Sequence, residues 1–516
     1  MPLEGMWRWV LHFIIGVVVG TIAYYMTRFE DALIHLQGAT VQVSLNNGHS
    51  VWAAYVNWTL FALVAALIAV LLTVYIGPGA MGSGVPEVMG LLNGVRYPKA
   101  LDLATFFIKI IGVEFAVIGN LAIGKEGPLV HIGAIVGAMS PYIPLDVFAP
   151  FRNDSDKRTL LAAGAAAGVS SAFGAPIGGA LFVYEISKPN TFWTFSMLWR
   201  VFFSCAIATL VLGMLEEMAE GLPLTVTSSA VLKFGEVTYF DAPFFDLVIA
   251  IVLGAISGLL GAFFVYVYAM MGFFRKNYVN TGPKRVLEVL VFSFVSSSLF
   301  YWASAGCKKC FPIDPTLDYN YYFRFTCPEN EYNPQATLFL NTEGAVIRAL
   351  MNVKIKDTVL GYFIFTSIWY VLMITTAGVF VPAGLFLPGM LVGAGLGIML
   401  RQGLAYIEPN QEPLLGSSYQ IMGAAAMMAG YTRQTYSLAV IMLETSQTVN
   451  FFIPVLLTIM VSVGVGSIFN RSLYERSLRS KNIPMLRNHI PKTNRNVTAF
   501  QIMSSPVVTV EPINTV

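Results

Sequence analysis

Charge is what this sequence has least of. Only 12% of its 516 residues are Asp, Glu, Lys or Arg, about half the share found in soluble domains. So few charges cannot cover a water-facing surface of this size, which excludes an ordinary soluble globular chain. The charges also nearly balance, 31 basic against 29 acidic for a net of +2, so no nucleic-acid footprint is present. Histidine is sparse and scattered (His12, His35, His49, His131 and His489). There is no HExxH pair, nucleophile elbow or Walker loop, and nothing points to an enzyme. Cysteine numbers four. Cys205 lies in an apolar stretch and is expected to be inert. Cys307, Cys310 and Cys327 share one polar loop, where zinc would want four ligands and no His is near. A disulfide in an oxidising lumen is favoured over free thiols, with one of the three left over. No cleavable leader is evident, because the apolar segment 10–26 is closely followed by another.

What the chain has instead is long apolar stretches. Residues 51–77, 159–184, 247–274, 358–400 and 445–470 contain no charge at all. Further apolar segments cover 103–124, 193–215 and 287–303. A spanning helix needs roughly 20 such residues, so the expected class is an all-α polytopic membrane protein. Polar linkers are expected at 152–158, 275–285 and 308–341, the last in the lumen or outside. Residues 471–495 hold seven Lys or Arg with no matching run of acids, which predicts a cytoplasmic segment. From Thr498 the pattern reads as a short helix and then a strand, the start of a soluble domain.

The apolar runs are broken in an unusual way. Clusters of Gly and Pro interrupt them at Gly77-Pro78-Gly79, Gly82-Ser83-Gly84-Val85-Pro86, Gly124-Lys125-Glu126-Gly127-Pro128, Gly174-Ala175-Pro176 and Gly378-Val379-Phe380-Val381-Pro382. Backbone freed from a helix at membrane depth must face protein or a wet cavity. Broken helices whose N-termini converge near the midplane are a known way to bind anions there. Five clusters, in both halves, favour a buried anion site over mere kinks.

Three of them carry chemistry. Glycines beside Glu126 allow close approach of backbone N–H groups, and Pro128 suits the first turn of a new helix. A carboxylate at that helix start occupies the place an anion would take. Glu126 is either a gate that competes with a permeant anion or a stabilising cap. Ser83, between two glycines, can donate its hydroxyl to a dehydrated halide, or simply make a turn. The backbone N–H groups of Val379 and Phe380 are further candidate donors, with no charged side chain near them. That suits conduction, in which binding must be weak enough to release. Lys109, Glu114 and Glu185 lie in or end apolar runs and are functional candidates by default; for Lys109 and Glu114 a structural pairing is favoured.

Taken together, Gly-Ser-Gly-Val-Pro-Glu at 82–87, Gly-Lys-Glu-Gly-Pro at 124–128, Gly-Val-Phe-Val-Pro at 378–382 and Ser472-Leu473-Tyr474 resemble the CLC chloride channels and transporters in order and spacing. The alanine-glycine run from Ala162 and Phe173-Gly174-Ala175-Pro176 match as well. The resemblance covers nearly the whole chain. It implies the CLC fold, with inverted repeats of broken and tilted helices, assembled as a homodimer with one anion pathway per subunit. Residues 1–490 would be the transmembrane anion-transport domain, and 491–516 a linker and the start of a truncated cytoplasmic CBS domain. By the same resemblance Ser83 and Tyr474 would coordinate chloride through their hydroxyls. The N–H groups of Val379 and Phe380 would complete that site, and Glu126 would be the gating glutamate. Plant members that prefer nitrate resemble this motif with Pro at the position of Ser83; Ser implies chloride.

One position departs from the exchanger pattern. The acid that relays protons from the cytoplasm in exchangers of this family is Ile186 here, as in channel members. Yet the loop from Phe325 to Pro334, with Leu338–Thr342 beyond it, resembles the intracellular and plant branch, which contains mostly exchangers. The expected function is chloride/proton antiport gated by Glu126, with a voltage-gated chloride channel without proton coupling as the alternative. The expected partners are chloride, protons, the lipid bilayer and a second copy of the chain, with no nucleic acid. No cofactor or metal is expected in this chain; a nucleotide is expected only at the CBS domains. An intracellular membrane is favoured, with the C-terminus cytoplasmic.

Overall fold

The computed structural model describes residues 2–48, 50–187, 193–221, 234, 245–313, 322–351, 355–407, 418–447, 451–484 and 496–503. In chain order the helices are α1 (Pro2–Asn46), α2 (Val51–Leu71), α3 (Val85–Leu92), α4 (Leu103–Ile118), α5 (Glu126–Met139), α6 (Asp154–Phe173), α7 (Pro176–Ile186), α8 (Phe195–Glu220), α9 (Phe245–Tyr278) and α10 (Gly282–Gly306). They continue as α11 (Pro334–Phe339), α12 (Glu343–Met351), α13 (Val359–Thr376), α14 (Phe386–Ile407), α15 (Ser418–Thr432), α16 (Tyr436–Ser446), α17 (Phe452–Phe469), α18 (Leu473–Ser480) and α19 (Ala499–Ile502). Among the described residues, eight helices are long and apolar enough to cross a bilayer. Large apolar side chains such as Leu60, Phe263, Leu287, Phe363 and Met460 are exposed on them. That surface suits hydrocarbon rather than water.

Several boundaries differ from the sequence expectations. The apolar segment 10–26 is part of a much longer helix, α1, and the next, 51–77, forms α2 and the turn after it. The uncharged runs 159–184 and 358–400 are each two helices, parted at Gly174-Ala175 and at 377–385. The linker expected at 275–285 shrinks to 279–281, because polar helix ends extend past the apolar core. The polar loop 308–341 holds a two-stranded antiparallel pair, Phe311–Pro312 with Glu331–Tyr332, and α11. Cys310 and Cys327 are joined in it by a disulfide, and Cys307 is the one left over. Only the one-turn helix α19 of the expected C-terminal domain falls within the described residues; the strand expected after it lies outside them.

The two halves repeat one pattern, α4–α7 and α13–α16: a long helix, a broken turn, a helix, another helix and a short helix of 11 residues. In the first half α5 packs on α6, and a Cβ on Gly133 or Gly164 would overlap the other's carbonyl. In the second half α14 packs on α15, and Gly393 and Gly423 do the same. Small residues at such crossings let helix backbones touch where lipid offers no hydrophobic drive.

The short helices α7 and α16 cap one another. Glu444 accepts hydrogen bonds from the N–H groups of Ile177 (3.1 Å) and Gly178 (2.7 Å) at the start of α7. Glu185 accepts from Thr435 N (3.0 Å), Thr435 Oγ1 (2.8 Å) and Ser437 Oγ (2.5 Å) at the start of α16. Carboxylates at helix N-termini are stabilising, so Glu185, a functional candidate by its place in an apolar run, is a structural cap.

The molecule has two distinct faces. On one, Arg8 of α1 pairs with Asp156 at 3.2 Å, Arg96 pairs with Asp154 at 2.8 Å, and Lys481, which caps the C-terminus of α18, pairs with Glu87 of α3. On the other, the far end of α1 is held to the disulfide loop: Gln42 donates to Phe325 O at 3.2 Å and accepts from Phe325 N at 3.0 Å.

Candidate functional site

The three chemically interesting Gly-Pro turns meet in the middle of the molecule. Gly82 N donates to Val381 O at 2.9 Å. Gly124 N donates to Gly384 O at 2.8 Å, and Gly384 N returns a bond to Gly124 O at 2.7 Å. A Cβ on Gly127 would lie 2.9 Å from Ser83 Cβ and 3.2 Å from Gly384 Cα. Ser83 before α3, Glu126 at the start of α5 and the turn before α14 are therefore neighbours. Each helix start brings a partial positive charge and free N–H groups to the same small volume.

Glu126 is the first residue of α5 and is 0% exposed. Neither of its carboxylate oxygens has a hydrogen-bond partner among the described residues. The side chain curls back over Gly124, where a Cβ would overlap its carboxylate and lie 3.0 Å from Leu387 Cβ. A satisfied cap would accept N–H bonds of the kind Glu185 accepts. Glu126 instead occupies the focus of the site near its own N–H and that of Leu387 at the start of α14, with no well-formed hydrogen bond to either.

Ser83 is half-buried, and its hydroxyl accepts a long bond from Val85 N at 3.4 Å. Gly84 beside it has φ +79, and a Cβ there would overlap the buried His131 ring. Left-handed backbone costs a non-glycine residue about 1–2 kcal/mol, and overpacking adds about 1–3. Gly84→Ala is expected to lower the yield and thermal stability of folded protein sharply. A monodisperse, equally stable variant in detergent chromatography would contradict this account of the turn.

The turn before α14 distinguishes the two candidate N–H donors. Val379 N is already bonded to Thr376 O at 3.1 Å, closing the tight turn at Gly378, φ +84. Of the two predicted donors, Phe380 N alone has no backbone acceptor among the described residues. Arg275 holds the turn from α9, donating to Ala377 O (2.5 Å) and Thr375 O (2.6 Å) while paired with Glu288 at 2.6 Å. The Arg285 guanidinium sits over the Phe380 ring, 4.2 Å from its centroid.

Tyr474 is the second residue of α18 and is buried. The Lys481–Glu87 ion pair ties α18 to α3, so it fixes Tyr474 relative to Ser83. Tyr474 also lines a cavity of about 350 Å³ together with Met89, Glu185, Ile186, Gln434 and Asn470. Ile186 thus faces a partly polar vestibule roomy enough for several waters. Tyr431 of α15 is fully buried and in electrostatic reach of both Tyr474 and Glu126. Its hydroxyl donates to Leu385 O at 2.7 Å. The sequence reading missed Tyr431, Arg275 and Lys481.

Lys109 and Glu114 do not pair. Five residues apart on a helix, they point about 140° away from each other. Lys109 Nζ donates to Ala80 O at 3.1 Å and so steadies the turn leading to Ser83. Cys205 is buried in α8, as expected of an inert thiol.

Comparison with known proteins follows the same lines. The family profile described as voltage gated chloride channel matches residues 64–467. The H(+)/Cl(-) exchange transporter 7 of Mus musculus is 31% identical over 97% of this chain, and the chain spans 64% of that protein's length. Chloride channel protein C of Dictyostelium discoideum is 33% identical, covering 97% of this chain and 68% of that protein. Among solved structures, a eukaryotic CLC transporter aligns with a TM-score of 0.70 at 25% identity, covering 93% of this chain and 75% of that one. A slow cyanobacterial Cl-/H+ antiporter aligns with a TM-score of 0.73 at 18% identity, covering 92% and 99%.

Proposed function

The chain belongs to the voltage-gated chloride channel (CLC) family of integral, multi-pass membrane proteins, and from that membership we propose that it exchanges chloride for protons, with Glu126 as the gate. The observation that carries the proposal is the fully buried Glu126 carboxylate, loosely held near the N–H groups of two helix starts, at the meeting point of three such starts. Ionised, it fills the anion's place. Once it takes up a proton it loses the attraction that kept it there, and chloride can enter. Alternate occupancy of one place by carboxylate and chloride links the two ions.

Chloride is bound in this reading by the Ser83 and Tyr474 hydroxyls and the Phe380 N–H. Protons reach Glu126 from the Tyr474 side through water in the vestibule that Ile186 lines. An acid at Ile186 is not needed for that route. Exchange is favoured over passive conduction by the exchangers among the relatives and aligned structures. The protein would act as a homodimer in an intracellular membrane, with the disulfide loop in the lumen and the basic segment 471–495 in the cytoplasm. No enzymatic step and no cofactor enter the transport domain. Residues 491–516 would open a CBS domain, at which a nucleotide would bind.

The test is simultaneous chloride and proton flux from purified protein in liposomes. An imposed chloride gradient is expected to drive protons the opposite way. Chloride flow with no proton movement would identify a passive channel instead. Selectivity offers a second check. Ser83→Pro removes both the hydroxyl and an N–H, and it is expected to move preference from chloride toward nitrate in competition flux assays. Unchanged selectivity would remove Ser83 from the anion site.

A further inference from the structure

Glu126 is not the only unpartnered carboxylate in this membrane domain. Glu114 of α4 is 2% exposed, and neither of its oxygens has a hydrogen-bond partner among the described residues. The charged groups in electrostatic reach of it are Glu30 and Asp31 from α1, Lys125 and Glu126 at the start of α5, and Glu343 of α12. The neighbouring helix α2 carries no charge. The one cation in this group, Lys125, is already in a buried ion pair with Glu30. Glu114 therefore has neither a donor nor a cation of its own.

Its position is informative. The Phe29 and Phe115 rings meet edge to face at 5.7 Å, which sets Glu30 and Glu114 at one level between α1 and α4. Lys109, about 7.5 Å back along α4, supports the Ser83 turn. Glu30 lies toward the end of α1 that is held to the disulfide loop, away from the face of Arg8 and Lys481. Glu114 thus stands on the disulfide-loop side of the Ser83 turn, away from the vestibule of Tyr474.

We propose that Glu114 is a proton-binding site and the station through which Glu126 exchanges its proton with the disulfide-loop face. A buried carboxylate with no donor costs several kcal/mol to ionise, so the group keeps a proton at rest. Transfer moves one proton from the Glu114 carboxyl to the Glu126 carboxylate, and a proton from the water beyond Asp31 and Glu343 restores Glu114. In the opposite direction the same steps run backward. Lys125, held by Glu30, stabilises whichever carboxylate is momentarily charged. The inference rests on the exchanger reading, and it places an acid where one side of the proton path needs one.

Glu114→Gln keeps the shape and removes the titrating group. In liposomes containing the full chain it is expected to lower chloride-driven proton flux about tenfold, and with it the number of protons moved per chloride. Proton and chloride rates equal to the wild type at every pH would overturn the proposal. An infrared difference spectrum reads the site without transport: the wild type is expected to show a protonated carboxyl C=O band that Glu114→Gln lacks and Glu114→Asp shifts. If neither variant changes that band, Glu114 does not hold the proton. Glu114→Asp keeps the measurement available should the Gln variant fail to fold. A wild type that carries chloride but no protons sinks the exchanger reading, and the infrared band then decides the fate of the Glu114 site by itself.

Discussion

Glu126→Gln is expected to abolish proton transport while chloride transport continues. The glutamine side chain has the same shape as the protonated acid, so it fits the same pocket over Gly124. It carries no charge, however, and gains nothing from the helix start, which is worth roughly half an elementary charge to an anion. Chloride then meets no ionised competitor at the focus of α3, α5 and α14. With no proton to take up or give back at that position, the two fluxes lose their link. A chloride gradient should drive proton movement no faster than in empty liposomes, a fall of about a hundredfold or more if Glu126 is the sole acid at the focus. Chloride efflux should persist and lose its dependence on pH. The decisive comparison is both fluxes measured together in one vesicle preparation. Normal coupling in the variant would remove Glu126 from the gate, however well its geometry suits that role.

Much of this site is legible in the sequence because irregular backbone at membrane depth leaves a compositional mark. Gly-Ser-Gly-Val-Pro, Gly-Lys-Glu-Gly-Pro and Gly-Val-Phe-Val-Pro interrupt runs that would otherwise be plain helices, and the structure joins all three. What the residues alone left open at Glu126, gate or cap, turns on hydrogen bonds. Glu185 and Glu444 have well-formed ones to helix starts in the other half of the chain, and Glu126 has only loose approaches to its own N–H and that of Leu387. Those partners lie roughly 250 residues away in sequence, so no local pattern could show them. A still greater separation, 394 residues, hides Lys481, whose pairing with Glu87 sets Tyr474 against Ser83. Arg275 looked like part of a polar linker, yet it holds the turn before α14. The expectation that Val379 donates to the anion meets a local competitor: the turn at Gly378 directs that N–H to Thr376. One readable signal went unread. Glycines four apart, Gly133 with Gly137 and Gly393 with Gly397, mark the close helix crossings of each half and reveal the internal repeat directly.

Gly124→Ala is the complementary experiment, because it disturbs the gate without removing its acid. The added methyl would overlap the Glu126 carboxylate and press on Leu387 Cβ at 3.0 Å. Gly124 is not among the residues with positive φ, so alanine adopts its backbone without strain. The atoms in the way are mainly the far end of a flexible side chain, which can swing out, while the Gly124–Gly384 bridge is made by backbone and can remain. Overpacking of this kind costs about 1–3 kcal/mol, and each 1.36 kcal/mol is tenfold in a population. The resting position of the carboxylate should therefore be depopulated by about tenfold to a hundredfold. Chloride flux is expected to rise, and the number of protons moved per chloride to fall about tenfold, with the titrating group still present. A small residual proton flux separates this variant from Glu126→Gln, which should show none. Combining the two substitutions supplies the control: if the methyl acts only by evicting the carboxylate, adding Gly124→Ala to Glu126→Gln should change chloride flux far less than it does in the wild type. Equal effects in both backgrounds would mean that the methyl distorts the pathway itself, and that the curl of Glu126 over Gly124 is not the closed state of the gate.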